Sequence, residues 1–128
     1  MVSGDGGFLY NSQELATAVQ YGINAVVIVF NNNAYGNVLQ AQIQEFNGHI
    51  LGTQLHNPDF VKLAEAYGHV GIRVDKLEDL DAAMEKCFSY TDRLVFMDIQ
   101  VDQNEHVYPM QIKFGAMDDM RLSKTERT

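Results

Sequence analysis

The sequence predicts an α/β fold, a three-layer parallel sheet with helices on both faces, and three observations predict it. The apolar, β-branched run AVVIVF at 25–30 has the pattern of a strand buried on both faces, and VGIRV (70–74) and LVFMDIQV (94–101) read as further strands. Stretches with apolar residues at helical spacing separate these runs, the arrangement of right-handed βαβ units in a mainly parallel sheet. Two polar segments, Gly4-Asp5-Gly6-Gly7 and Asn31-Asn32-Asn33-Ala34-Tyr35-Gly36, fall where strands end. In open α/β sheets that is where ligands bind.

Taken in order, Met1-Val2-Ser3 leaves little room for a strand before Gly4, so the chain reads as beginning inside a domain, truncated at its N-terminus. Asn11 with Glu14 forms a capping box for a first helix, whose stripe is Leu15, Ala18 and Val19 and whose stop is Gly22. After the strand at 25–30, Val38, Leu39, Ile43 and Phe46 mark a second helix broken by Asn47-Gly48. Asn57 caps a third with Pro58 at its first position; Phe60, Leu63, Ala64 and Tyr67 are its stripe and Gly68 its end. Asp75 and Glu78 form another capping box before a helix lined by Leu77, Leu80, Met84, Cys87 and Phe88. Residues 1–105 thus form one α/β domain, and 106–128 a tail without periodicity lying over the surface or a neighbour.

Composition excludes several classes. A chain of 128 residues, 46% hydrophobic, is the size of one domain with a real core. A net charge of −8 argues against nucleic-acid and anionic-membrane partners. The single cysteine, Cys87, excludes an internal disulfide and a Cys-based zinc site, and fits a reducing compartment. No apolar run approaches the roughly 20 residues of a membrane span, and residues 1–15 lack a signal-peptide pattern. The expectation is a soluble, cytoplasmic protein.

The two polar segments carry the chemistry. Asp5 offers one hard carboxylate, Asn31 to Asn33 offer amide and main-chain oxygens, and the glycines let main-chain N–H groups approach an anion. Magnesium is held by one or two protein oxygens while a phosphorylated ligand supplies others, so the set suits half of a magnesium diphosphate site. Gly-Asp-Gly is also common in turns, and an asparagine cluster also caps helices, so a plain pair of loops stays open at this point.

The segment Gly4-Asp5-Gly6, followed by Asn31-Asn32 with Asn32 27 positions after Asp5, resembles the thiamine-diphosphate motif, GDG followed at fixed spacing by NN. The whole chain, including NPDFVKLAEAYG at 57–68 and the end VYPMQIKFGAMDDMRLSKTERT, is similar to the C-terminal cofactor domain of acetolactate synthase catalytic subunits. The resemblance implies the thiamine-diphosphate-binding fold, with Mg²⁺ held by Asp5, the Asn32 side-chain oxygen and the Ala34 main-chain carbonyl. It implies cofactor contacts from Gly4, Gly6, Gly7, Tyr35 and Gly36, with Gly36 allowing the turn that follows.

It further implies that the activating glutamate lies in an N-terminal pyrimidine-binding domain contributed by the partner subunit of a homodimer or tetramer. A regulatory small subunit and, in some full-length enzymes, FAD lie outside this chain as well. On that basis the 128 residues hold no catalytic residue and bind cofactor weakly at best alone. The family pattern GMVxQWQ reads Gly36-Asn37-Val38-Leu39-Gln40-Ala41-Gln42 in this chain, so Asn37 and Ala41 replace Met and Trp of the substrate pocket, and Arg121 replaces a Trp of similar tails. These departures keep open another thiamine-diphosphate 2-oxoacid decarboxylase, carboligase or oxidase. A non-catalytic α/β remnant that packs on partners is the reading from a different class.

Other residues read as structural. His49, His56, His69 and His106 lack metal-ligand spacing and read as surface or capping residues. Cys87 reads as a core thiol, the acidic positions from Asp75 to Glu85 as a solvated helix face, and Asp118-Asp119 as a solvated tail. Met110, Met117 and Met120 read as packing against a partner.

Overall fold

A computed structural model describes residues 1–111, 116, 118 and 120–123, the last group including only the backbone of residue 121. Strands β1 (Val2–Gly4), β2 (Val26–Asn31), β3 (Val70–Val74) and β4 (Val95–Gln100) form one parallel sheet in the order β1-β2-β4-β3. The helices are α1 (Asp5–Leu9), α2 (Glu14–Gln20), α3 (Gly36–Glu45), α4 (Phe60–Ala66) and α5 (Leu80–Ser89), with a 3₁₀ turn at Leu77–Asp79 before α5. Two short antiparallel strands, β5 (Met110–Gln111) and β6 (Met120–Arg121), give the expected tail some order of its own. Met117 and Asp119 lie outside the described residues. None of the described helices is long and apolar enough to cross a membrane.

Side-chain alternation along β4 divides the molecule into two cores. Leu94 and Phe96 join Val27, Val29, Phe8, Leu15, Ala18, Phe60 and Ala64 on the face covered by α1, α2 and α4. Val95 and Met97 join Ile72, Val74, Ala83 and Cys87 under α5 on the other. The expected three layers are present. Gly71 lets α4 lie close on the sheet, because a Cβ there would stand 2.7 Å from Val61 Cγ1 and 2.8 Å from its carbonyl oxygen.

The second face is less complete than the run AVVIVF suggests. Helix α5 covers β3 and β4 and leaves Phe30 45% exposed and Val2 66% exposed, beside a cavity of about 460 Å³. Strand β2 is therefore buried on one face and only half-buried on the other.

The N-terminal helix caps differ from expectation. The chain enters α1 directly from β1, Asn11 lies in the turn that follows, and α2 starts after Gln13 without a side-chain cap. Glu14 instead accepts the Thr17 hydroxyl at 3.1 Å. Asp59, not Asn57, caps α4, accepting the Lys62 backbone N–H at 3.2 Å. Neither Asp75 nor Glu78 caps α5, whose side faces the core through Ala83 and Cys87 while Leu77 and Phe88 are exposed. Gly22 and Gly68 end their helices at φ +58° and +85°, the left-handed backbone that favours glycine.

His69 is a correction as well. Its ring is buried, and Nε2 donates to the Leu15 carbonyl at 2.8 Å, joining the α4–β3 turn to α2. His49 and His56 are exposed, and the acidic positions from Asp75 to Glu85 face solvent as expected. Cys87 is fully buried, and burial pushes its thiol above the usual range, as befits a core thiol.

Candidate functional site at the carboxyl ends of the strands

Strand pairing brings the two polar segments together. Gly4 lies opposite Phe30 in the β1–β2 register, so Asp5 and Asn31 emerge side by side. The α1 turn that carries Asp5 is anchored by Phe8, whose ring packs edge-on against Phe60 at 5.6 Å and Phe96 at 4.8 Å. Burying one aromatic ring stabilises a one-turn helix that its glycines alone disfavour by about 1 kcal/mol each.

The three asparagines do different jobs. Asn31 is buried; its Nδ2 donates to Asp98 Oδ1 at 3.0 Å, and its Oδ1 accepts the Asn33 N–H at 3.2 Å. Asn32 stands half-buried at the cavity wall, its Oδ1 accepting the Ala34 N–H at 3.1 Å. Asn33 takes a left-handed turn at φ +55° and is exposed. Only Asn32 of the three lines the cavity.

Ala34 is held by two backbone bonds of its neighbours, Tyr35 N to Thr53 O and Leu55 N to Asn33 O, both 2.8 Å. In that antiparallel pairing the N–H and C=O of Ala34 itself point away from residues 53–55. Its carbonyl oxygen is thus free of the ladder.

A cavity of about 380 Å³ collects Gly4, Asp5, Gly6, Gly7, Asn32, Ala34, Tyr35, Gly36 and Asn37 on one wall. Phe30, Gln40, Val101, Glu105 and Val107 line it too, and sequence reasoning assigned none of these five to the site. Ala41 lines a separate cavity with Phe46 and Leu51, and Val38 borders both.

Two glycines act through close approach. A Cβ on Gly6 would stand 2.6 Å from the Tyr35 ring, and a Cβ on Gly36 would stand 2.8 Å from Asn32 Nδ2. Gly36 therefore makes room for the Asn32 amide. The Tyr35 hydroxyl is held above its usual range chiefly by its hydrogen bond with Tyr10.

The residues present fit a magnesium diphosphate. Among the described residues no three His, Cys, Asp or Glu side chains cluster as a self-sufficient metal site. The available set is one carboxylate, one amide and one free carbonyl, which suits a cation whose remaining ligands come from a phosphorylated molecule. Among the described residues no Lys, Arg or His lines the cavity, and Asp5 and Glu105 give that lining an acidic character, which favours an anion that enters together with a cation.

Sequence reasoning missed Asn57. Its Nδ2 lies 2.6 Å from Asp5 Oδ2, 2.9 Å from Asn31 Oδ1 and 3.3 Å from Asn33 Oδ1. The Asn-Pro pair reads as a helix start, and nothing local marks a side chain that turns back across 52 positions to Asp5. Gln40 was missed too: nearly fully buried, it accepts the Val107 N–H at 2.9 Å and donates to the Val107 carbonyl at 3.1 Å. It fastens the segment that closes the cavity.

Residues 1–99 match the family model of the thiamine pyrophosphate enzyme C-terminal TPP binding domain. The acetolactate synthase large subunit of Haemophilus influenzae is 49% identical over 98% of this chain, and the Escherichia coli isozyme 3 large subunit is 47% identical over 99%. The chain spans 22% and 23% of the length of those two relatives. Among solved structures, the thiamine diphosphate-dependent 4-hydroxybenzoylformate decarboxylase of Rhodococcus jostii RHA1 superposes with a TM-score of 0.71 at 31% identity. That match covers 79% of this chain and 19% of the decarboxylase. With its parallel sheet and its GDG and NN segments on one cavity, the chain belongs to the family of C-terminal thiamine-pyrophosphate-binding domains of thiamine pyrophosphate enzymes.

Proposed function

We propose that this chain is the cofactor-anchoring domain of a thiamine-diphosphate-dependent acetolactate synthase of branched-chain amino-acid synthesis. The observation that carries the reading is the convergence of Asp5, Asn32 and Ala34 on one acidic cavity. The match of nearly all of this chain to one segment of two acetolactate synthase large subunits supports that chemistry over other thiamine enzymes.

In this reading Asp5, the Asn32 side-chain oxygen and the Ala34 carbonyl hold Mg²⁺, and the main chain of Gly4, Gly6 and Gly7 accompanies the diphosphate. Tyr35 and Gly36 border the cofactor, and Gly36 keeps the Asn32 amide in place. When bound, thiamine diphosphate supplies the nucleophile and electron sink for decarboxylating pyruvate and joining the remainder to a second 2-oxoacid. Residues 1–105 form the cofactor unit, and Gln40 ties Val107, just beyond it, alongside.

The rest of the enzyme is assigned outside this chain: a pyrimidine-binding domain with its glutamate, a second subunit, a regulatory small subunit and any flavin. We assign the assembly to the cytoplasm. Asn37 lines the cavity where acetolactate synthases carry Met, and this polar replacement favours a second reading, another thiamine-diphosphate 2-oxoacid decarboxylase or carboligase.

The test is a chimera in which this chain replaces the matched segment of the Escherichia coli subunit, assayed for acetolactate from pyruvate with Mg²⁺ and thiamine diphosphate. Activity that disappears with Asp5→Ala supports the proposal. Full activity in the Asp5→Ala chimera refutes the metal assignment, and decarboxylation without acetolactate favours the second reading.

A further inference from the structure

The Asp5 carboxylate is 2% exposed, and its only described hydrogen-bond donor is an amide from a distant loop. The orientation of that amide is dictated from the sheet. Asp98 is fully buried and, as a carboxylate, accepts only. Arg73 donates to its Oδ2 at 3.1 Å, and Gln100 to its Oδ1 at 2.9 Å.

Asn31 must therefore turn its nitrogen toward Asp98, which leaves its oxygen facing Asn57. Asn57 then presents its nitrogen to Asn31, and the same nitrogen meets Asp5 Oδ2 and Asn33 Oδ1. A reversed Asn57 amide would set its oxygen against three oxygens. The Asn57 oxygen itself is buried with no partner among the described residues, so the side chain shares its two N–H groups among the three acceptors and leaves its own acceptor unmet.

We propose that Asn57 is a positioning residue for the cation ligand Asp5, oriented through Asn31 by Asp98; the inference rests on the metal site proposed above. Asn57 holds Oδ2 and leaves Oδ1 for the cation. Partners of ligating carboxylates that act this way change metal affinity by about 10- to 100-fold when removed.

The experiment uses the ¹⁵N-labelled 128-residue chain, titrated to millimolar Mn²⁺ with and without thiamine diphosphate, a range that detects weak binding. Selective broadening of the Asp5 and Asn32 amide signals reports the site. Asn57→Leu, similar in shape without the donor, is expected to weaken Mn²⁺ about 10-fold or more. Asn57→His, whose ring Nδ1–H falls near the lost amide nitrogen, is expected to recover most of that loss. In the metal-free chain, Asp5→Ala is expected to shift the Asn57 side-chain NH₂ pair, a measurement on a variant that leaves Asn57 itself intact.

Asn57→Leu binding Mn²⁺ like the parent while Asp5→Ala binds none overturns the positioning role and leaves the metal site standing. An Asn57 NH₂ pair indifferent to Asp5→Ala likewise overturns it. No selective broadening in the parent, with the NH₂ shift present, overturns the metal reading and with it the role of Asn57 toward a cation.

Discussion

Replacing Gly36 by Ala separates the proposed cation ligand, Asn32, from the fold that carries it. The new Cβ would lie 2.8 Å from Asn32 Nδ2, against roughly 3.5 Å for an ordinary contact, so the amide must move about 0.7 Å. Asn32 is also bonded through Oδ1 to the Ala34 N–H at 3.1 Å, so the movement strains its rotamer or stretches that bond. Either costs about 1 kcal/mol. Gly36 opens α3 without a left-handed φ, so Ala brings no backbone strain and gains up to about 1 kcal/mol as a better helix former. The two effects nearly cancel, and urea unfolding is expected to move by less than about 1 kcal/mol. Binding is not protected in the same way. Magnesium tolerates oxygens only near 2.0–2.1 Å, and displacing one ligand by a third of that distance is expected to weaken Mn²⁺ with thiamine diphosphate about 10- to 100-fold. The assay is the Mn²⁺ broadening titration beside a urea melt. Unchanged stability with affinity within about twofold of the parent would show that Asn32 is not a ligand.

Gln40→Leu removes both bonds to Val107 from a fully enclosed side chain, leaving the Val107 N–H and carbonyl without their partner. Hydrogen exchange at Val107 is expected to rise at least about tenfold while β4 amides keep their protection, since the lost bonds are worth about 1 kcal/mol each. The two carboxylates on Arg73 are expected to respond to acid in opposite senses. The Lys62 backbone N–H holds Asp59 below its usual 3.8, so its contribution is present above that pH and lost as pH falls through the lower folded value. Burial raises Asp98, so its ionisation opposes folding as pH rises from 3.8 through the higher folded value. In denaturant melts on the acid side, the stability gap between parent and Asp59→Asn should close as pH falls, whereas the gap to Asp98→Asn should widen.

How much was legible follows from the range of each interaction. The strands are written in local composition: a run such as AVVIVF has few uses other than a buried strand, and the structure places β2 at Val26–Asn31. The spacing of Asp5 and Asn32 is legible for the same reason, because adjacent parallel strands convert a fixed sequence interval into neighbouring ends. Caps were the weak point. Asn11, Asn57 and Asp75 carry the right side chains for local capping, yet the cap of α4 is Asp59, and Asn57 is taken by Asp5 and two asparagines far from it in sequence. The helix α1 was hidden because three residues of Gly4–Gly7 are glycine; it forms because Phe8 is buried between α4 and β4. The closing wall of Glu105 and Val107 was hidden because it depends on Gln40, whose amide reaches a segment with no pattern of its own.

Asp98 shows why the site and the sheet cannot be considered apart. A buried carboxylate in a strand is costly unless its oxygens are paired, and the register supplies the partners. Arg73 lies directly opposite Asp98 on β3, and Val29 lies opposite on β2, which puts Asn31, two residues further along the same face, within reach of Asp98 Oδ1. A one-residue slip of β4 would turn Asp98 to the α5 side, strand Arg73, and free the Asn31 amide to rotate. The cost of burying Asp98 thus penalises wrong registers along with the right one, but only the right one recovers it through Arg73, Asn31 and Gln100. The same register that closes the ion pair also aims Asn31 at Asn57 and Asn57 at Asp5, so correct strand pairing and a correctly held Asp5 carboxylate are one structural event.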